Sequence, residues 1–280
     1  MTRIFIAIAL TMLAVAALAG VAMAQGTDKD DAVKAASAPK PVATTDANKN
    51  SAVIVVCPQC EAQGTLCEDC AARARTLLTT MASSMCGKCT PERPCEQCAA
   101  AIEGAMALLP NLEVRIDETA PLRVGYIATT AGDEMGMAFG QVMEEGGKQN
   151  LFGDDTQVLG VYPEVMKTGY SPTTPYYACV SLPEGVDAAE PLEEYTVPGG
   201  RYMVVNHWGD YANLRFSWMA ALAYADLRGL SLGSGPAGER YLSDPSSVPT
   251  EQWLTEIFMP LVDEPTPLEE EEEAAPRLSS

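Results

Sequence analysis

Four Cys-x-x-Cys pairs lie between Cys57 and Cys98, and they restrict what this chain can fold into more than any other feature. They are Cys57/Cys60, Cys67/Cys70, Cys86/Cys89 and Cys95/Cys98. The segment is an internal duplication. Cys57-Pro-Gln-Cys60 is followed by Cys67-Glu-Asp-Cys70-Ala-Ala, and Cys86-Gly-Lys-Cys89 by Cys95-Glu-Gln-Cys98-Ala-Ala. Each unit leads into a helix-compatible stretch, Ala71 to Met85 and Ala99 to Leu109.

Two cysteines at this spacing can turn both sulfurs toward one tetrahedral ion, and two pairs complete a four-thiolate site. Four pairs therefore predict two structural zinc ions. The simplest assignment gives Cys57, Cys60, Cys67 and Cys70 to one ion and Cys86, Cys89, Cys95 and Cys98 to the other; interleaved pairing of the two units satisfies the same count. Four thiolates leave no open position for water, so the ions are expected to be structural. Disulfides are the competing expectation if the chain is exported, and thiol exchange is a third, although no thioredoxin-like strand precedes the pairs. The chain's single histidine, His207, excludes any site built on two imidazoles.

Acidic residues number 38 against 18 basic, a net charge of -20. With no Lys/Arg cluster, such an excess repels phosphate backbones, so no nucleic-acid partner is expected. Arg3 followed by the uncharged run Ile4 to Ala24, closed by Ala22-Met23-Ala24, predicts a secretory signal peptide over residues 1–24. An uncleaved membrane anchor is the alternative; either places the remainder outside the cytoplasm, periplasmic or secreted. Residues 25–55 read as a disordered spacer, 56–110 as the cysteine-rich module, and 263–280, with glutamates from Glu269 to Glu273, as a disordered acidic tail.

From residue 112 to 262 strand and helix patterns alternate. Strands are expected over Leu112 to Asp117, Leu122 to Ala128, Gln157 to Tyr162, Tyr176 to Ser181, Leu192 to Val197, Arg201 to Trp208, Glu239 to Leu242 and Leu254 to Leu261. Helices are expected from about Asp133 to Glu145 and Tyr211 to Leu230. The order strand, strand, helix, strand, strand occurs twice. This predicts an α+β domain of two duplicated halves, an antiparallel sheet with two helices on one face and a groove between the halves.

Several motifs in the second half carry a resemblance. Val197-Pro-Gly-Gly-Arg-Tyr202, His207-Trp-Gly-Asp-Tyr211, Gly235-Pro-Ala-Gly-Glu239-Arg-Tyr241-Leu-Ser-Asp244-Pro245 and Thr255-Glu-Ile-Phe-Met-Pro260 resemble the GyrI-like effector-binding domain found in AraC-type and multidrug-sensing regulators. The first half matches only in outline, and the resemblance does not reach the cysteine module. It implies a small organic ligand held in the groove, with the Glu-x-Tyr glutamate, Glu239, facing the pocket and Tyr241 beside it. A carboxylate withdrawn from water attracts a cation, and aromatic walls add apolar and cation-π contact. Tyr126, Tyr162, Tyr202, Trp208 and Trp218 are the candidate walls, some of which strand alternation will turn outward. His207 is expected to steer the turn into the second helix rather than to act as a base, and Cys179 to be a buried free thiol.

The leading expectation is an exported small-molecule-binding protein that captures an amphipathic ligand, cationic or neutral, and acts without catalysis. Hydrolysis of a strained small molecule by Glu239, with Tyr241 as acid partner, is the enzymatic alternative, because some relatives in the resembled family are hydrolases. A third reading has the cysteine module carry the function, by thiol redox exchange or by docking a protein partner. The regulators' helix-turn-helix is absent upstream, where the signal peptide, spacer and cysteine module stand instead.

Overall fold

The computed structural model describes residues 57–262, apart from 87, 133 and 134. The expected signal peptide (1–24), spacer (25–55) and acidic tail (263–280) lie outside the described residues. Among those residues, no helix is long and apolar enough to cross a membrane.

The cysteine segment forms a short helix α1 (Pro58–Gln63), a long helix α2 (Glu68–Cys86) and a helix α3 (Glu96–Leu108). Eight strands follow: β1 (Val114–Thr119), β2 (Leu122–Thr130), β3 (Val158–Tyr162), β4 (Pro175–Ser181), β5 (Glu193–Val197), β6 (Gly200–Trp208), β7 (Ala237–Tyr241) and β8 (Leu254–Pro260). Helix α4 (Met135–Lys148) joins β2 to β3, the single turn α5 (Val165–Thr168) precedes β4, and α6 (Leu214–Arg228) joins β6 to β7. All eight expected strands form, and so do both expected helices, the second entered through a 3-10 turn at Tyr211–Asn213.

Every strand pairing is antiparallel, in the order β1-β6-β8-β7-β3-β4-β2-β5. Read from either end, this order maps one half of the chain on the other, β1 onto β5, β6 onto β2, β8 onto β4 and β7 onto β3. The duplication therefore has a seam at the β7–β3 ladder. The first strand of each half does not stay with its own half: β1 pairs with β6 and β5 with β2. The sheet also curls. Edge strand β5 and strand β6, six places apart in that order, are joined by Pro198 and Gly199 alone, so the two ends of the sheet are brought together. Val124, Tyr126, Leu159, Cys179, Tyr202, Val204 and Phe258 fill the inside of this curl.

The helices cover the other face. Helix α4 buries Ala138, Phe139, Val142 and Met143, the spacing of one helical face. Helix α6 differs, because Leu214, Ser217, Met219, Ala220, Ala221, Ala223, Tyr224 and Ala225 are all buried and span most of its circumference. A helix apolar nearly all round needs cover on two sides. The sheet supplies one, and α2 and α3 supply the other: Ala74, Leu78 and Ala82 from α2 and Ile102 and Ala105 from α3 join Met219, Ala220 and Ala223 in a single core. The cysteine module thus shares its core with the sheet domain.

Candidate functional site

Glu239 stands on β7 at the seam, paired in register with Gly160 of β3. Its side chain points to the helix-covered face and is only 4% exposed. Three aromatic residues donate to the carboxylate. Trp218 Nε1 of α6 donates to Oε1 at 2.7 Å, and the hydroxyls of Tyr176 on β4 and Tyr241 on β7 each donate to Oε2 at 3.1 Å. The rings interlock edge to face. Tyr162 lies 4.7 Å from Tyr176 and 5.9 Å from Trp218, and Phe139 of α4 lies 5.4 Å from Tyr241. A cleft of about 140 Å³ flanks Tyr241 on its outer side, lined also by Thr156, Val158, Tyr211, Leu242 and Asp244.

Burial pushes the Glu239 carboxyl above its usual value, and the donors Trp218, Tyr241 and Tyr176 pull it part of the way back. Burial likewise raises the phenols of Tyr162, Tyr176 and Tyr241, so they remain neutral donors. None of the ion pairs formed among the described residues includes Glu239. The arrangement is a buried carboxyl group met only by neutral dipoles inside a ring of π-faces and edges. Isolated buried charges are costly unless paired, and an organic cation would supply that pairing.

The structure gathers three of the sequence-selected aromatics at Glu239, namely Tyr162, Trp218 and Tyr241, and places three elsewhere. Tyr126 and Tyr202 belong to the inner core of the curl, on the opposite face of the sheet. Tyr126 donates to Glu193 at 2.8 Å and stacks on Tyr177 at 4.1 Å, while Tyr202 donates to the Pro198 carbonyl at 2.9 Å. Trp208 is 42% exposed and donates to Glu113 at 3.2 Å. Strand alternation separates them: in β6 the side chains of His207 and Trp208 leave by opposite faces. Tyr176 and Phe139 belong to the site although sequence reasoning did not select them. Tyr176 could have been found by reading β4 with period two, since Tyr176, Ala178 and Val180 all enter the core beneath α4.

His207 is buried and ties the turn before α6. Its Nε2 donates to the Asp210 carbonyl at 3.1 Å, which leaves Nδ1 to accept from Ser217 at 2.8 Å. Burial lowers its pKa below the usual imidazole value, so the ring is neutral. Cys179 is fully buried.

The eight cysteines of the repeat form two groups. Cys57, Cys60, Cys67 and Cys70 bring their ligand atoms within 4.8 Å of one another, and so do Cys86, Cys89, Cys95 and Cys98. Each group belongs to one repeat unit, so the pairing is not interleaved. In the first, Cys57 Sγ lies 3.5 Å from Cys60, 3.7 Å from Cys67 and 3.6 Å from Cys70. In the second, Cys86–Cys89, Cys89–Cys98 and Cys86–Cys95 are 3.3, 3.6 and 3.9 Å apart. A disulfide requires about 2.05 Å, whereas sulfurs bonded tetrahedrally to one zinc at about 2.3 Å are about 3.8 Å apart. The donor set and spacing therefore fit a metal ion. Backbone amides support the sulfurs: Cys67 N–H donates to Cys60 at 3.2 Å and Cys95 N–H to Cys89 at 3.0 Å. The amide of Cys60 lowers the Cys57 thiol to about 7, and that of Cys98 lowers Cys95 to about 7, whereas burial raises Cys60, Cys70 and Cys98.

An eight-stranded antiparallel sheet with duplicated halves, helices on one face and a buried carboxyl at the seam defines a duplicated α+β domain. Residues 112–262 match the profile of the GyrI-like small molecule binding domain, and the chain belongs to that family. The match stops short of the cysteine module. Among solved structures, the EcmrR C-terminal domain is similar at 16% identity and a TM-score of 0.48, over 54% of this chain and 98% of that one. SAV2435 bound to tetraphenylphosphonium is similar at 21% identity and 0.42, over 54% and 94%. A hydrolase from Listeria innocua is similar at 12% identity and 0.39, over 53% and 91%. No curated protein gives a significant match.

Proposed function

We propose that this is an exported binding protein that captures an amphipathic organic cation at Glu239. The observation that carries this reading is the carboxylate itself, buried at the seam, hydrogen-bonded by Trp218, Tyr176 and Tyr241 and paired with no cationic side chain among the described residues. Tyr162, Trp218 and Tyr241 form its aromatic wall. Calorimetry with tetraphenylphosphonium, a cation whose charge does not titrate, tests it. Glu239→Gln is expected to weaken binding at least tenfold, and equal affinity in the two proteins overturns the electrostatic role.

The two tetracysteine groups each hold one structural zinc ion in this reading, supported by sulfur spacings that suit a tetrahedral ion and exceed those of a disulfide. Metal analysis of purified protein should give about two ions per chain. The hydrolytic alternative draws on one contact, the Tyr241 hydroxyl within hydrogen-bonding reach of Glu239 Oε2. Turnover of a bound ligand that is lost in Glu239→Ala would favour it.

A further inference from the structure

Helix α6 has the Glu239 cage on one side and the tetracysteine module on the other. Trp218 and Phe216 are two residues apart, so their side chains leave the helix on nearly opposite sides, about 3 Å apart along its axis. Trp218 reaches Glu239 at 2.7 Å and packs against both of the cores that meet at the seam. Phe216 lies under α3 at Gly104, where a β-carbon would come within 2.9 Å of the phenyl ring. The absence of a side chain there lets the two helices approach closely. A second attachment lies at the far end of α6. Arg73 of α2 donates Nε to the Asp226 carboxylate at 2.9 Å and a terminal nitrogen to the Asp226 carbonyl at 2.8 Å.

The helices that bear on α6 are in turn fixed by sulfur. Cys67 and Cys70 flank the start of α2, Cys86 is its last residue, and Cys95 and Cys98 flank the start of α3. The first tetracysteine group thus clasps one end of α2, and the second clasps the other end together with the start of α3. A hairpin with only Ala74, Leu78, Ala82, Ile102 and Ala105 fully inside its contact with the sheet domain has little core of its own.

On this basis, and resting on the ligand and metal readings above, we propose that metal loading of the two tetracysteine groups regulates the affinity of the Glu239 site, transmitted through α6 by Phe216 and Trp218. With both groups loaded, α2 and α3 press α6 against the sheet and hold the Trp218 indole at hydrogen-bonding distance from Glu239. Without metal the hairpin loses its clasps, α6 loses one of its two covers, and the cage loses the fixed position of one wall. The coupling is reciprocal by linkage: a cation in the cage must tighten metal binding by the factor by which metal tightens the cation.

The test uses the full chain, zinc as the metal and tetraphenylphosphonium as the ligand. Metal-free protein is expected to bind the cation at least tenfold more weakly than zinc-loaded protein and to regain affinity when zinc is restored. Competition with a chelating dye is expected to show zinc held at least tenfold more tightly under saturating cation. Phe216→Ala in the zinc-loaded state serves as the control that does not require a folded metal-free chain. It should keep its full zinc content while its cation affinity falls toward the metal-free value. Cation affinities within twofold with and without zinc, or wild-type affinity in zinc-loaded Phe216→Ala, overturn the coupling while leaving both sites standing. A chain that takes up no zinc, or a zinc-loaded chain that binds no cation, overturns the underlying readings, and the coupling with them.

Discussion

The hydroxyl of Tyr176 occupies the space that a β-carbon on Gly160 would need. Gly160 is the register partner of Glu239, so the gap it leaves on β3 is where the phenol enters to reach the carboxylate. Gly160→Ala should therefore displace Tyr176 and cost about 1–3 kcal/mol, the range of an overpacked core. Urea unfolding of Gly160→Ala, Tyr176→Phe and the double variant checks this. The two changes should be strongly non-additive, because removing the hydroxyl relieves part of the clash.

The pH dependence of the site follows from burial at Glu239. Because its carboxyl is raised in the fold, the folded chain holds that proton more firmly than the unfolded chain. The stabilising contribution is full below the ordinary glutamate range and is lost as pH rises through the raised value. Subtracting the stability of Glu239→Gln from that of wild type should give a difference that declines as pH rises above about 4.5 and then levels. Affinity for tetraphenylphosphonium should move the other way, rising over the same window in wild type and staying flat in Glu239→Gln.

His207 titrates with the opposite sign. Its value is lowered in the fold, so neutral His207 stabilises the protein above the usual imidazole range, and this contribution is lost as pH falls through the depressed value. Chemical unfolding between pH 7.5 and 5 should show a steeper loss of stability in wild type than in His207→Gln.

The sulfur groups make a stoichiometric prediction. Since each lies within one repeat unit, replacing Cys57 and Cys60 together by serine should leave one bound zinc, and replacing Cys86 and Cys89 together should also leave one. A complete loss of metal in either double variant would point to shared ligands between the units.

Most of the architecture could be read from the residues because its signals are local. Strand patterns with period two and the apolar spacing of α4 and α6 located their elements to within a few residues. The crossing of β1 into the second half and of β5 into the first is decided by tertiary pairing, for which the strands themselves carry no signal. The same limit explains the aromatic walls. Strands such as β3 and β4 are buried on both faces, so hydrophobicity does not say which face a tyrosine takes. Tyr162 and Trp218 fell on the side of Glu239, while Tyr126 and Tyr202 fell inside the curl. Period two in β4 puts Tyr176 beneath α4, but its reach to Glu239 depends on Gly160 one strand away, which no local signal marks. The cysteine spacing predicted the two sulfur groups, but gave no hint that α2 and α3 would complete the core around α6.

The exchange of first strands between the halves has a further consequence. Cut between β4 and β5, the halves would lose the β1–β6, β2–β5 and β3–β7 ladders, leaving β1 in one and β5 in the other with no partner at all, and two copies of either half could restore such pairings for each other. In arrangement the domain is a swapped dimer made permanent by a single chain. A true homodimer must place identical residues on both sides of its axis, so a glutamate at the central register position of the seam would face the repulsion of its own copy. Joining the halves removed that obligation, leaving one strand free to carry Glu239 and the other to keep Gly160 opposite it.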